Sequence, residues 1–339
     1  MMFKTLLITL FFLAFISAPL SAKTFKIATI APDGTTWMEE LKKGADEIKK
    51  RTDGRVKFRF YPGGIMGNDK SVLRKIRVGQ LHGGAITGGG LSEIYSDAQI
   101  YSLPLAFRSY DEVDYIRKQM DQDLIAGMKE KGFISFGIGE GGFAYVMSDK
   151  AISNVDDMSD HKVWSPEGDA LSRAAFESVG VSPIPLPLTD VLTGLQTGLI
   201  NTVAASPMGA IALQWHTKIK HVTDTPLMYL YGTMVVKRKA FEKLSSQDQS
   251  TVKEVMAAVF ERLDELNRSD NEKANVALKA QGIHFVMPSE TEQAQWSGAV
   301  TVAIDKLIRQ GIFSKDIIDS FNTHLSTYRK TSHALGLAE

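Results

Sequence analysis

Between Ser245 and Gly282 the chain carries one helical pattern without a break. Ser245, with Asp248 three residues on, offers a capping-box start, and Gly282 is the first residue that stops the pattern. A helix from Ser246 to about Gln281 has about 36 residues, which at ~1.5 Å each make a rod of ~54 Å. That is longer than one small domain is wide, so such a helix has to touch two halves of a molecule. The full length of 339 residues allows two domains at ~150 residues each.

What precedes the helix fits two α/β halves. Thr24 to Ile30 reads as a buried strand, Pro32-Asp33-Gly34 turns it, and Trp37, Leu41, Ala45 and Ile48 recur at helical spacing. Arg55 to Tyr61 alternates as the next strand and is stopped by Pro62-Gly63-Gly64. Asp69 is expected to cap a helix that reaches Val78. Strand and helix continue to alternate through Gly83 to Thr87, Tyr110 to Lys131 and Phe133 to Ile138, which predicts parallel sheets covered by helices. A second set starts near Phe143 to Met147 and continues through Lys162 to Trp164, a helix from Gly168-Asp169 to Val179, and a strand at Met228 to Lys237. With no repeat and no flexible linker, ordered strands are expected to act as hinges.

Balance and absence exclude several classes of function. The 39 basic side chains match 39 acidic ones, which argues against a nucleic-acid partner. There is no cysteine, so disulfides, thiolate metal sites, cysteine nucleophiles and a lipid-modified amino terminus are excluded together. Lys4, the apolar run Leu6 to Ile16, and Ser17, Ala18, Pro19 and Ala22 read as a signal peptide cleaved near Ala22. Eleven apolar residues fall short of the ~20 that span a bilayer. The expectation is a free periplasmic protein, not anchored in the membrane.

The chemical motifs are weak when weighed one at a time. Gly137, Gly139 and Gly142 match a dinucleotide spacing, but Phe143 to Met147 follows as strand where a phosphate site needs a helix to open. A hinge or strand crossover is the expected role. Gly83 to Gly90 has no Gly-Lys-Ser or Gly-Lys-Thr to hold a phosphate, and reads either as bare backbone approaching a ligand or as tight packing. His216 and His221 would stand about 140° apart on a helix, too far round for one zinc ion, and read as surface histidines. Ser206 lacks the elbow that exposes a serine nucleophile. Carboxylates are plentiful, but no pair is singled out. No catalytic residue, metal or cofactor is expected, although a secreted two-lobe hydrolase or isomerase stays open as an alternative.

Several landmarks occur together: Tyr61-Pro62-Gly63-Gly64 with Met66-Gly67, Val78-Gly79-Gln80-Leu81, Asp156-Asp157-Met158, and Leu195 to Ile200. In order and spacing they resemble the solute-binding proteins of tripartite ATP-independent periplasmic (TRAP) transporters, the dicarboxylate-receptor type. The resemblance runs from about Phe25 to about Gly311. It implies a two-lobe periplasmic binding protein fold with hinge strands and a long helix across both lobes. It also implies a cleft that closes over a small solute, and delivery to ion-gradient-driven TRAP membrane subunits. The lobes would be 23–141 plus 230–268, and 142–229 plus 269–330, with 331–339 as a tail. A receptor feeding a sensor kinase is not separable from one feeding a transporter.

The chain departs from the family at the cleft. Where much of the family carries two arginines for a solute carboxylate, the aligned positions hold Ala144 and Trp164. Neither makes the paired hydrogen bonds of an arginine fork, and Glu167 and Asp169 would oppose an anion. The resemblance therefore implies a hydrophobic or amphipathic cargo held by Trp164, Phe143, Tyr145 and Leu188, with Ser206 nearby and Trp37, Gly88 and Gly89 closing from the first lobe. The alternative is that Trp164, Phe143 and Leu188 fill a core. A family branch that also lacks the arginine works with a tetratricopeptide-repeat protein, which makes such a helper an expected partner.

Overall fold

The computed structural model describes residues 22–334. All of the expected signal segment except Ala22, and residues 335–339 of the expected tail, lie outside them. The first half comprises β1 (Lys23–Thr29), α1 (Thr36–Arg51), β2 (Val56–Tyr61), α2 (Asp69–Arg77), β3 (Gly83–Thr87), α3 (Gly88–Leu91), α4 (Tyr110–Glu130) and β4 (Phe133–Ser135). β5 (Gly139–Ser148) leads into β6 (Trp164–Pro166), α5 (Ala170–Ser178), β7 (Ile184–Leu186), α6 (Val191–Thr197), β8 (Thr202–Ala205), α7 (Pro207–Ala212) and β9 (His221–Thr223). The chain returns through β10 (Met228–Lys237) and α8 (Arg238–Phe241). It closes with α9 (Ser246–Ala280), β11 (His284–Val286), α10 (Glu290–Arg309) and α11 (Lys315–Ala334).

β2, β1 and β3 are parallel, as the alternation predicts. The sheet as a whole is mixed, however, because β10 runs antiparallel to β3, β4 and β5. The reason is topological: β5 carries the chain out to the second half and β10 brings it back, so these neighbouring strands must oppose each other. They join the two halves of one sheet with the order β11-β9-β5-β10-β3-β1-β2. Hinge strands are thus present where the sequence places them. A register shift at Leu230/Tyr231 and a left-handed Gly142, φ 87°, break the regular pleat between the halves, as a bulge does.

α9 has 35 residues, ending one residue short of the expectation. The Ser245 hydroxyl accepts the Asp248 N–H at 3.1 Å, and Gly282 adopts φ 84° beyond the other end. The helix feeds two cores. Val252, Met256, Val259 and Leu263 pack with Phe25, Ile27 and Leu41, whereas Leu278 packs with Met147, Val203 and Trp215. Between them the helix crosses β5, and there the glycine spacing finds its use. A Cβ on Gly137 would lie 2.7 Å from the Phe260 Cβ, and one on Gly139 2.8 Å from the Trp37 ring. These glycines seat a helix against a hinge strand and leave no phosphate loop.

The crossing is tied by buried charges. Glu140 is fully buried and accepts from Arg268 at 2.9 Å and from the Tyr229 hydroxyl at 3.2 Å. Arg117 donates to Asp264 at 2.8 Å and to Asp121 at 3.2 Å. Burial raises the Glu140 pKa, and the Arg268 guanidinium pulls it back. α10 packs on α5. α11, expected with the second lobe, packs on α4 of the first. Its apolar Phe321 meets Phe107, and Arg329 reaches Glu112 at 2.7 Å.

Candidate functional site

Because β1 lies between β2 and β3, the chain leaves β1 toward one side of the sheet and later fills the other. In such parallel sheets a crevice opens at the carboxyl ends of the strands where the order reverses, and ligands bind there. In the first lobe that point is the end of β3 beside the start of α2. Asn68 caps α2, accepting the Ser71 N–H at 3.0 Å, so Asp69, the expected cap, is the first helical residue. Freed from capping, the Asp69 carboxylate accepts the Thr87 backbone N–H at 3.2 Å and its hydroxyl at 2.6 Å. Burial pushes this carboxyl up to about 6, against those hydrogen bonds. A Cβ on Gly90 would run into the same carboxylate.

The facing wall comes from the second lobe. β6 and β7 pair in parallel, and the chain leaves β6 through Glu167 and a left-handed Gly168, φ 86°, into α5. Asp169 caps that helix, its Oδ1 accepting Leu171 N–H at 3.0 Å and Ser172 N–H at 3.3 Å. Across the gap, Asn68 donates to Glu167 at 3.2 Å and Gln99 donates to Asp169 Oδ1 at 3.0 Å. A Cβ on Gly64 would stand 2.7 Å from the Thr189 methyl. The two lobes are therefore shut on each other. The seam is acidic, since among the described residues Asp69, Glu167 and Asp169 have no ion-pair partner.

The residues expected from sequence are not gathered in one place. Gly89 sits on the seam, where a Cβ would lie 3.7 Å from Asp169 and 3.8 Å from Gln99. Gly88 is buried, and a Cβ there would lie 2.8 Å from the Tyr231 ring, which is packing. Trp37 is at the hinge, donating to the Glu140 carbonyl at 3.3 Å and edge-on to Phe260. Phe143 is buried against Tyr110 and Tyr229. Ser206 is buried and spends its hydroxyl capping α7, accepting the Gly209 N–H at 3.2 Å. Leu188 and Tyr145 are half-buried and pack at the edge of the second-lobe core.

Trp164 overturns the expected aromatic clamp. Only 4% of it is exposed, its indole N–H donates to the Leu186 carbonyl at 3.0 Å, and its ring packs edge-on to Trp215 at 5.3 Å. Its other neighbours, Val191, Leu195 and Val203 among them, belong to the second-lobe core. Sequence reasoning instead missed Asn68, Thr87 and Gln99. Asn68-Asp69 directly after the Gly63 to Gly67 turn was the available signal; Gln99 offered none.

A family model described as bacterial extracellular solute-binding protein, family 7, matches residues 27–310. The chain belongs to bacterial extracellular solute-binding protein family 7. This family-7 receptor is 22% identical, over 82% of its length and 84% of the relative's, to the C4-dicarboxylate-binding periplasmic protein of Rhodobacter capsulatus. It is 23% identical to the 2,3-diketo-L-gulonate-binding periplasmic protein of Escherichia coli K12, over 80% and 84% of the two chains. Among solved structures it resembles the sugar acid binding protein of Advenella mimigardefordensis in complex with galactonate. The TM-score there is 0.84 at 17% identity, covering 91% of this chain and 99% of that one. A TRAP periplasmic solute binding protein of Haemophilus influenzae with bound L-gulonate gives a TM-score of 0.83 at 19% identity, covering 89% and 100%.

The receptor is thus a TRAP solute-binding protein and not an enzyme, and such receptors work with TRAP membrane subunits. Among the described residues no helix is long and apolar enough to cross a membrane. The buried Trp164 removes the aromatic clamp on which a hydrophobic or amphipathic cargo rested.

Proposed function

We propose that the receptor closes over a small, hydroxyl-rich polar solute, recognised by carboxylate and hydroxyl acceptors in place of an arginine fork. One observation carries this reading: unpaired carboxylates stand on both facing walls, at Asp69, Glu167 and Asp169, while the positions that hold arginines in much of the family are Ala144, fully buried, and Trp164. Sugar hydroxyls donate to carboxylates readily, whereas a free carboxylate brought to this seam meets like charge. The solved relatives with bound galactonate and gulonate support the hydroxylated half of the reading. The site residues we assign are Asn68, Asp69, Thr87 and Gln99 from one lobe and Glu167 and Asp169 from the other.

The lobes we infer are 23–141 with 230–268 and α11, and 142–229 with 269–309. A periplasmic tetratricopeptide-repeat helper is supported by the missing arginine pair alone. Co-purification of such a protein with the receptor tests it, and its absence from crosslinked native complexes would count against it.

The cargo class is tested by titrating the purified protein with uncharged polyols and sugars, the matched aldonates, and succinate. A ligand at 100 times its Kd adds ~2.7 kcal/mol to stability, so thermal shifts of several degrees are expected for uncharged polyols and none for succinate. A dicarboxylate that binds more tightly than every uncharged analogue would reject the reading.

A further inference from the structure

We propose that His221 and His284 form a two-histidine site for a divalent transition-metal ion of the zinc class, at the end of the second-lobe sheet away from the cleft. The sequence offers His216 as the near neighbour of His221, but the fold turns it elsewhere, with its Nδ1 3.2 Å from the Ala210 carbonyl. His284 is brought in instead by the parallel pairing of β9 and β11, in which the two histidines are register partners. Their ring centroids lie 5.6 Å apart with 32° between the planes. A zinc–nitrogen bond of ~2.0–2.1 Å, with ~1.1 Å more to the ring centre, sets each centroid ~3.2 Å from a shared ion. If both rings point at the ion, the observed separation subtends about 125° at the metal, wider than the tetrahedral angle.

The surroundings complete the argument. His221 Nδ1 and Asp149 Oδ1 are both buried without a hydrogen-bond partner. Asp149 follows Ser148, the register partner of His221 on β5. A histidine that binds metal through one ring nitrogen carries its proton on the other and hands it to a carboxylate or carbonyl. In this structure His221 Nδ1 and Asp149 Oδ1 do not bond each other, which leaves His221 Nδ1 without a partner. The titratable groups that face His221 are His284, Asp149, Lys220 and His161. Of the other groups around it, the His161 ring is engaged with the Thr202 hydroxyl at 2.6 Å. Among the described residues no three His, Asp or Glu side chains converge as metal ligands. Solvent therefore fills the remaining positions, and binding is weaker than at a site with four protein ligands. The site stands on β9 and β11, neither of which contributes a residue assigned to the seam.

The test is titration of the untagged protein with Zn²⁺ against a chromophoric zinc indicator at pH 7.5. One ion per chain is expected, at least tenfold weaker in His284→Ala and unchanged in His216→Ala. Because His284 is exposed, the variant keeps its fold, which circular dichroism verifies. Absence of stoichiometric binding, unchanged affinity in His284→Ala, or an equal loss in His216→Ala would each overturn the proposal.

Discussion

Gln99 of the first lobe donates to Asp169 Oδ1 of the second at 3.0 Å, and the same oxygen caps α5 through Leu171 and Ser172. One carboxylate thus serves both the start of a helix and the contact between lobes. Closure of a binding protein is stabilised only by contacts absent from the open form, and this is one of them. Gln99→Ala removes it without touching the cap. The expected cost is about 1 kcal/mol, near a fivefold shift toward the open form, seen as a larger radius of gyration in small-angle scattering with little change in unfolding free energy. An unchanged radius would show that Gln99 does not hold the lobes together.

Asp69 predicts a pH dependence of definite sign. Its carboxyl is pushed up to about 6 in the folded protein against 3.8 for the ordinary group, so the folded state holds the proton more tightly than the unfolded chain. The stability allowed by a neutral Asp69 is full below about pH 3.8 and is lost as pH rises through about 6. Asp69→Asn should gain on wild type between pH 4 and 7, by no more than about 3 kcal/mol, and then level off. Urea unfolding across that range measures it, and a difference independent of pH would contradict the account.

Trp164 is predicted to matter for folding before it matters for binding. Its burial against Trp215 puts Trp164→Ala in the class of large-to-small core changes that cost about 3–5 kcal/mol. Trp164→Arg would bury an unpaired cation and should destabilise the fold at least as much, without creating carboxylate affinity. A stable, well-folded Trp164→Arg protein that binds succinate would place the side chain in the cleft after all.

At the hinge, Gly139→Ala sets a methyl 2.8 Å from Trp37 and 3.0 Å from Phe260. Overpacking of this kind costs about 1–3 kcal/mol, and here it pries α1 and α9 from β5. Gly132→Ala is the comparison for a glycine with open space but φ 91°, where only backbone strain acts. If denaturant midpoints moved less for Gly139 than for Gly132, helix seating would not be what the glycine is for.

The parts that were legible in the sequence are those that local chemistry decides. Ser245 and Gly282 bracket α9 because a cap and a stop act within one turn, and the hinge strands follow from the want of a flexible linker between the halves. The seam was not legible. Gln99 lies in a short 3-10 turn with no periodicity to aim it, and its partner is 70 residues away. Trp164 was misplaced for the same reason. Its burial depends on Leu186 and Trp215, which β7 and the turn after α7 bring back from later in the chain. A resemblance that aligns a tryptophan with an arginine gives its position along the strand, but the packing of the second lobe decides which way the ring turns.

The central claim is that solute is held at the seam between the β3–α2 corner and the start of α5. Hydrogen exchange of the purified receptor, with and without the polyol it binds most tightly, tests that most directly. Slowed exchange confined to Thr87–Gly90 and Ser165–Ser172 is predicted. Protection that left both segments unchanged while the solute was bound would contradict it.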